Sequence, residues 1–404
     1  MKCWLRLFLC VAILSTVGFP LNSALGITVS GRSSTEFEWY DTGDGDTAVP
    51  FYQYMLLNVH DIDNNGLAFR GYGRLADDLA DEADVDSRLY YAYLEKKDLI
   101  EDLDVRFGRQ FISTTAGASI MDGLYMEYSG WGDVDITVFG GGDVAYYDGY
   151  NAKDLIAGIE VRRTFMDDLN LGLSYLQKWD HSELANELFG LDVDYDFNDM
   201  LYVYSETQFN YLANTVSYFL GGAKYHRSDN WSVRAEYLYS LPVFSSTSIY
   251  SVFAVDEYEE LFVEYEQRLM PGLRAFVNYA REMYEYDADA DVFEVGIEKI
   301  RTGRFSGYVI GTWREDPDGQ DLAGVKVYAA ATINNRFQAG AGVHLDVMER
   351  YLDEDEDETT NSRIWVDGTV TFNRKINLQA KVERVESDLW DEYYRGRVRL
   401  NVRF

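Results

Sequence analysis

The most constraining feature of this chain is its final stretch, Tyr394 to Phe404, which reads Tyr-Arg-Gly-Arg-Val-Arg-Leu-Asn-Val-Arg-Phe. Tyr394, Gly396, Val398, Leu400, Val402 and Phe404 share one parity, and Arg395, Arg397, Arg399, Asn401 and Arg403 share the other. An extended strand built from this segment is apolar on one face and cationic on the other. A soluble sandwich would rarely point four arginines to one side without acids to pair them. A strand with lipid on one side and water on the other accounts for both faces.

The N-terminal segment fits a secreted chain. Lys2 and Arg6 precede an apolar run from Leu7 to Val17, and Ala24-Leu25-Gly26 is a small-x-small cleavage site. Residues 1–26 are therefore expected to be a cleaved signal peptide, and 27–404 the mature domain. Cys3 and Cys10 are the only cysteines. Both leave with the peptide, so disulfides, thiolate metal sites, a Cys nucleophile and attached c-type haem are excluded for the mature chain. No later run of about eighteen apolar residues occurs, so any membrane span has to be β. The 32 Tyr, 22 Phe and 8 Trp suit the aromatic girdles of a barrel, and only 5 Pro are present. A mean hydropathy of −0.28 is compatible, because only alternate residues of a barrel strand meet lipid. The formal charge is −33, and loss of Lys2 and Arg6 takes it to −35, which argues against nucleic acid as a partner.

From Ile27 onward, alternating segments of roughly ten residues are separated by short turns and longer polar loops in turn, the rhythm of an up-and-down meander. The short connections are Asp63–Gly66, Met166–Asn170, Ser228–Asn230, Met270–Gly272, Thr302–Arg304, Asn334–Arg336 and Asn373–Lys375. They are assigned to the periplasmic side. The longer ones are acidic and are assigned outside the cell: Asp41–Pro50, Asp77–Ser87, Tyr146–Asp154, Asp180–Leu188, Leu241–Asp256, Tyr286–Asp291, Asp316–Asp321 and Leu352–Asn361. The predicted fold is all-β, a single closed antiparallel up-and-down transmembrane β-barrel of about 20 to 22 strands. The choice between 20 and 22 depends on whether Phe189 to Arg227 holds a further hairpin.

Parity assigns the lumen. Leu67, Phe69 and Gly71, then Leu155, Ala157, Ile159 and Val161, then Phe337, Ala339, Ala341, Val343 and Leu345 form lipid-facing sets, while the opposite parity is charged. An interior this rich in ions holds water or a partner, since each unpaired buried ion costs several kcal/mol. If the first and last strands pair on closure, Arg32 lies near Arg395, Arg397 and Arg399. Arg70, Arg74 and Arg106 follow on the next strands, which makes a basic wall. Glu264, Glu266, Glu294 and Glu298 make an acidic wall elsewhere in the lumen. The run Asp353, Glu354, Asp355, Glu356, Asp357 and Glu358 is placed in an outer loop that draws cations to the mouth at low salt.

Motifs for other chemistry are weak. Asp61-Ile62-Asp63-Asn64-Asn65-Gly66 copies half of an EF-hand loop, but its twelfth position is Tyr72, so a hairpin turn is the better reading. His60, His181, His226 and His344 are scattered, no metal site or cofactor is assigned, and no nucleophile stands out, so an enzyme is not expected.

The closing alternation ending on Phe404 resembles the C-terminal signature of Gram-negative outer-membrane β-barrels, which their assembly machinery recognises. Val105-Arg106-Phe107-Gly108-Arg109-Gln110 resembles a Gly-Arg-Gln strand of several porin families, which precedes a loop that can fold inward; here that loop, Ser113 to Asp122, is short. The porin-like resemblance implies an outer-membrane location, contact with lipid and lipopolysaccharide, and passive diffusion of small polar solutes or ions, with acidic mouths favouring cations. Thr247 to Asp256 and the Tyr-rich, acidic character are similar to the barrels of porin-cytochrome conduits. That implies the alternative, a scaffold sheathing a multihaem cytochrome whose haems belong to the partner.

Overall fold

The computed structural model describes residues 27–42, 45–63, 65–145, 149–166, 168–228, 230–242, 257–317, 321–351, 356–388 and 390–404. The expected signal peptide, the segment Thr247 to Asp256, and Asp353, Glu354 and Asp355 lie outside these residues. The strands in chain order are β1 (Thr28–Asp41), β2 (Thr47–Ala48), β3 (Pro50–His60), β4 (Leu67–Asp78), β5 (Arg88–Ile100), β6 (Leu103–Thr114), β7 (Gly117–Trp131) and β8 (Val134–Ala145). Then come β9 (Gly149–Phe165), β10 (Leu169–Asp180), β11 (Glu183–Phe197), β12 (Leu201–Asn210), β13 (Thr215–Ser228), β14 (Trp231–Ser240), β15 (Tyr258–Met270) and β16 (Leu273–Tyr284). The last are β17 (Ala290–Lys299), β18 (Phe305–Glu315), β19 (Leu322–Asn334), β20 (Phe337–Tyr351), β21 (Glu356–Thr371), β22 (Ile376–Ser387) and β23 (Trp390–Arg403).

Among the described residues the strands form a closed 22-stranded antiparallel β-barrel, with the two-residue β2 outside the ring. The segment Phe189 to Arg227 does supply the further hairpin, as β12 and β13. The chain divides into two compact units. One takes in the chain up to Ala92 with Ile297–Gly311 and Leu322–Phe404, and the other takes in Tyr93–Gly296 with Thr312–Asp321.

The turns form where local chemistry requires them. Asp63 Oδ1 accepts the backbone N–H groups of Asn65 and Leu67 at 2.9 and 2.8 Å, and Gly66 has φ +85°. The EF-hand-like run is thus a hairpin turn. Asn334 and Asn373 cap their turns in the same way, each Oδ1 accepting two backbone N–H groups. Several of the expected long loops are shorter. Asp180–Leu188 reduces to His181 and Ser182, both at positive φ, because β10 and β11 pair up to Asp180 and Glu183. Glu356, Asp357 and Glu358 continue β21 opposite Tyr351, Arg350 and Glu349, so half of the acidic run belongs to a strand and not to a loop. Here the backbone ladder is stronger than the local preference of acids for coil.

The ring closes by pairing β1 with β23, in the first unit. Gly31 and Phe404 exchange two backbone hydrogen bonds of 3.2 Å, and a Cβ on Gly31 would lie 2.6 Å from the Phe404 ring. The register sets Arg32 opposite Arg403, while Arg399, Arg397 and Arg395 lie opposite Glu36, Glu38 and Tyr40. Arg32 therefore lies beside Arg403, and the three other arginines face the acidic end of β1.

Outward parity is apolar on strand after strand. Leu155, Val309, Leu345 and Val366 are 47%, 54%, 42% and 58% exposed in the protein alone, as side chains that meet lipid would be.

Candidate functional site

The inner face of the second unit carries a structure that the sequence did not announce. β6 and β7 meet in a two-residue turn, Thr115–Ala116, so Ser113 to Asp122 is the tip of a hairpin and not a free loop. The tip rests on the inner face of β10, β11 and β12, within β10 and β11 and near the end of β12. Thr115 Oγ1 donates to Asp192 Oδ1 at 2.7 Å, Ala116 N donates to Ser174 Oγ at 2.8 Å, and Gln208 Nε2 donates to the Ala116 carbonyl at 2.9 Å. Ser217 Oγ in turn donates to Gln208 Oε1 at 2.7 Å. Both backbone polar groups of a fully buried residue are thus satisfied by wall side chains.

Beneath these bonds is a small apolar core. Ile112, Ala116 and Met121 of the hairpin pack on Phe139, Ile156, Leu176 and Leu188, all less than a tenth exposed. Fully burying a large apolar side chain is worth about 1.5–3 kcal/mol, so the cluster and the hydrogen bonds together hold the tip on the wall. The inward bend passes through glycine. Gly108, with φ +128°, lies opposite Gly123, which lies opposite Gly141. A Cβ on Gly123 would come 2.7 Å from Gly141 Cα, so the two backbones approach more closely than any side chain permits. The sequence carries a signal for this site. Phe139, Ile156, Leu176 and Leu188 are apolar on the inward parity of four consecutive strands, where water would favour polar residues.

The basic residues named from the sequence are paired more than a bare wall would be. In the first unit, Arg399 Nε lies 3.3 Å from Glu36, and Arg395 lies 3.7 Å from Glu38 and 3.9 Å from Glu383. Glu383 also receives Arg363 at 2.6 Å and Lys381 at 2.5 Å. Arg74 donates to the Asp86 carbonyl at 2.7 Å and lies 5.0 Å over the Tyr52 ring, and Arg399 lies 5.3 Å over Tyr54. Arg70 faces inward opposite Asn58, and Arg397 is exposed. Arg106 belongs to the second unit, where it pairs with Glu95 at 3.2 Å and lies over Tyr125.

The acids are paired too. Glu264 lies 3.5 Å from Arg234 and Glu266 2.5 Å from Arg274, and Glu294 accepts from Asn278 and Thr312. Glu298 belongs to the first unit and the other three to the second. Cross-strand pairing of this kind was legible as charge but not as partners, because partners depend on register. Among the four histidines, exposed His181 lies beside half-buried Asp154 and Asp180, its Nδ1 2.5 Å from Asp180 Oδ1.

No family model matches the sequence, and no curated protein matches it. Solved structures do match along nearly the whole chain. The siderophore receptor PirA from Pseudomonas aeruginosa aligns over 93% of this chain and 80% of its own at 12% identity, with a TM-score of 0.64. The PapC translocation pore of the P pilus usher aligns over 93% and 99% at 9% identity and 0.55. Pseudomonas aeruginosa OpdQ aligns over 94% and 99% at 10% identity and 0.48. A receptor and a translocation pore sharing one architecture establish the fold and leave the cargo open. The chain thus has the closed β-barrel fold that it shares with the siderophore receptor and the usher translocation pore.

Proposed function

We propose that the protein is an outer-membrane, porin-like channel for passive diffusion of small polar solutes or ions, and that it is not an enzyme. The observation that carries this reading is the inner face of the wall. Glu36, Arg74, Glu160, Arg162, Glu264, Glu294, Glu383 and Arg399 all face inward, some in ion pairs and others hydrogen-bonded, and so many charged groups require water beside them. Barrels of this strand number are wide enough for an aqueous path. The hairpin on the inner wall of the second unit then occupies lumen space and acts as a fixed constriction. That use of interior room also favours a channel over a sheath around a multihaem cytochrome, the alternative reading.

Acidic mouths favour cations in this account. Exposed Asp81, Glu82, Asp84 and Asp86 of the β4–β5 connection raise the local cation concentration at low ionic strength. Reconstitution of the purified barrel in planar bilayers tests the reading. Stepwise ion conductance with a cation-selective reversal potential supports it. A barrel that passes no ions by itself, yet restores transmembrane electron transfer with a cytochrome, overturns it in favour of the sheath.

A further inference from the structure

We infer that a cavity on the inner wall of the first unit binds a neutral polyhydroxylated solute, a sugar or polyol, on its way through the channel. The inference rests on the channel reading and adds a substrate class to it. The cavity measures about 390 Å³, within the ordinary range of small-molecule sites. One side of it is aromatic. Tyr308, Tyr328 and Trp365 project inward from β18, β19 and β21, with Tyr308 and Tyr328 centroids 5.7 Å apart and the Tyr328 and Trp365 rings within 12° of parallel at 6.0 Å.

These rings are seated, not loosely exposed. Trp365 lies across Gly342, where a Cβ would collide with its ring, and the Tyr328 ring lies across Gly340 at 2.9 Å. The bare backbone of β20 lets both rings lie along the wall. Tyr328 Oη donates to Asp367 Oδ1 at 3.2 Å, and Trp365 is only 8% exposed. Trp365 therefore forms the floor, and Tyr308 and Tyr328 present partly exposed faces.

The other side is polar and balanced. Asp367, Lys381 and Arg397 lie in one lateral row across β21, β22 and β23, with Gln379 one pleat away. Lys381 is held by Glu383 at 2.5 Å, which leaves Asp367 and Arg397 as the opposed charges of the cavity. An anion that gains Arg397 also meets Asp367, and a cation meets the reverse, so neither sign is favoured. A hydroxyl both donates and accepts. It can donate to Asp367, accept from Arg397 and do both with Gln379, while the C–H face of a pyranose ring covers the tyrosines and loses no hydrogen bond.

The test is solute block of the single-channel current, with glucose and maltose as neutral probes and gluconate and glucosamine as charged ones. Each block is read as a fraction of that variant's own KCl current. The expected result is transient interruption by the neutral sugars at lower concentration than by either charged probe. In Tyr328→Ala and Arg397→Gln the half-blocking concentration rises roughly tenfold, the equivalent of about 1.4 kcal/mol. Heat-modifiable migration establishes that each variant is folded. The inference is overturned if channels that conduct KCl are not interrupted by glucose or maltose, if the variants block like the parent, or if a charged probe binds tighter. If the barrel conducts nothing, the channel reading fails by itself. Titration calorimetry of glucose into the solubilised protein then decides the site, with binding lost in Tyr328→Ala supporting it and no binding in the parent refuting it.

Discussion

Gln208 Nε2 reaches the carbonyl oxygen of Ala116 at 2.9 Å, joining residues 92 positions apart through the interior of the second unit. With Ser174 on the Ala116 N–H, this contact turns an ordinary two-residue hairpin into an internal element of the wall.

Releasing that contact should loosen the tip. Each hydrogen bond contributes about 0.5–1.5 kcal/mol net, and the double variant Ser174→Ala, Gln208→Ala also leaves a buried N–H and a buried carbonyl without partners. Single-channel records should show larger conductance with added gating noise. Records identical to the parent would mean that the apolar cluster alone holds the tip, or that the tip does not limit the current.

The bend itself depends on glycine. Gly123→Val places side-chain atoms within the 2.7 Å between its Cβ position and Gly141 Cα, a clash with backbone that no rotamer relieves. The expected outcome is loss of the folded, heat-modifiable form on SDS gels. Gly45→Ala, where nothing lies within 4 Å of the added Cβ, serves as the control, although its φ of +86° adds a small strain.

How much of this was legible follows from what parity can and cannot say. Alternation assigned Leu155, Ile159 and Leu345 to the outward face, and each of them is exposed in the protein alone. It could not give register, so Arg32 was expected beside Arg395, Arg397 and Arg399 when in fact it lies opposite Arg403. The hairpin escaped notice for a related reason. Ile156 and Leu176 are apolar at inward positions, and that departure from the pattern has a cause only once the distant tip of β6 and β7 is placed over them. The aromatic cavity was equally hidden, since Gly340 and Gly342 matter only for the rings that cross them from neighbouring strands.

Asp78, the last residue of β4 and the start of the 79–87 connection, gives a pH prediction. Burial acts to raise its pKa, but hydrogen bonds from the backbone N–H groups of Ala83, Glu82, Val49 and Ala80 outweigh that and hold the carboxyl below its ordinary value. A depressed folded pKa stabilises the loop above the unfolded value of about 3.9, and the contribution is lost as pH falls from there through the folded value. Limited proteolysis of the 79–87 connection should therefore accelerate below about pH 4, and Asp78→Ala should be cut readily even at neutral pH. Equal protection of parent and variant at neutral pH would remove Asp78 as the anchor.

Charge on the wall should set selectivity. Reversing Arg70, Arg74 and Arg106 to Glu removes three cations from the inner face and adds three anions, so the reversal potential in a salt gradient should move toward cations. An unchanged potential would place these side chains off the conduction path.

The central claim is that the barrel encloses a conducting water path by itself. Its most direct test is the single-channel current of the purified protein in a planar bilayer, with no partner present. The expected result is discrete, ohmic conductance steps that favour cations at low salt. A folded, heat-modifiable barrel that inserts and stays electrically silent would contradict it.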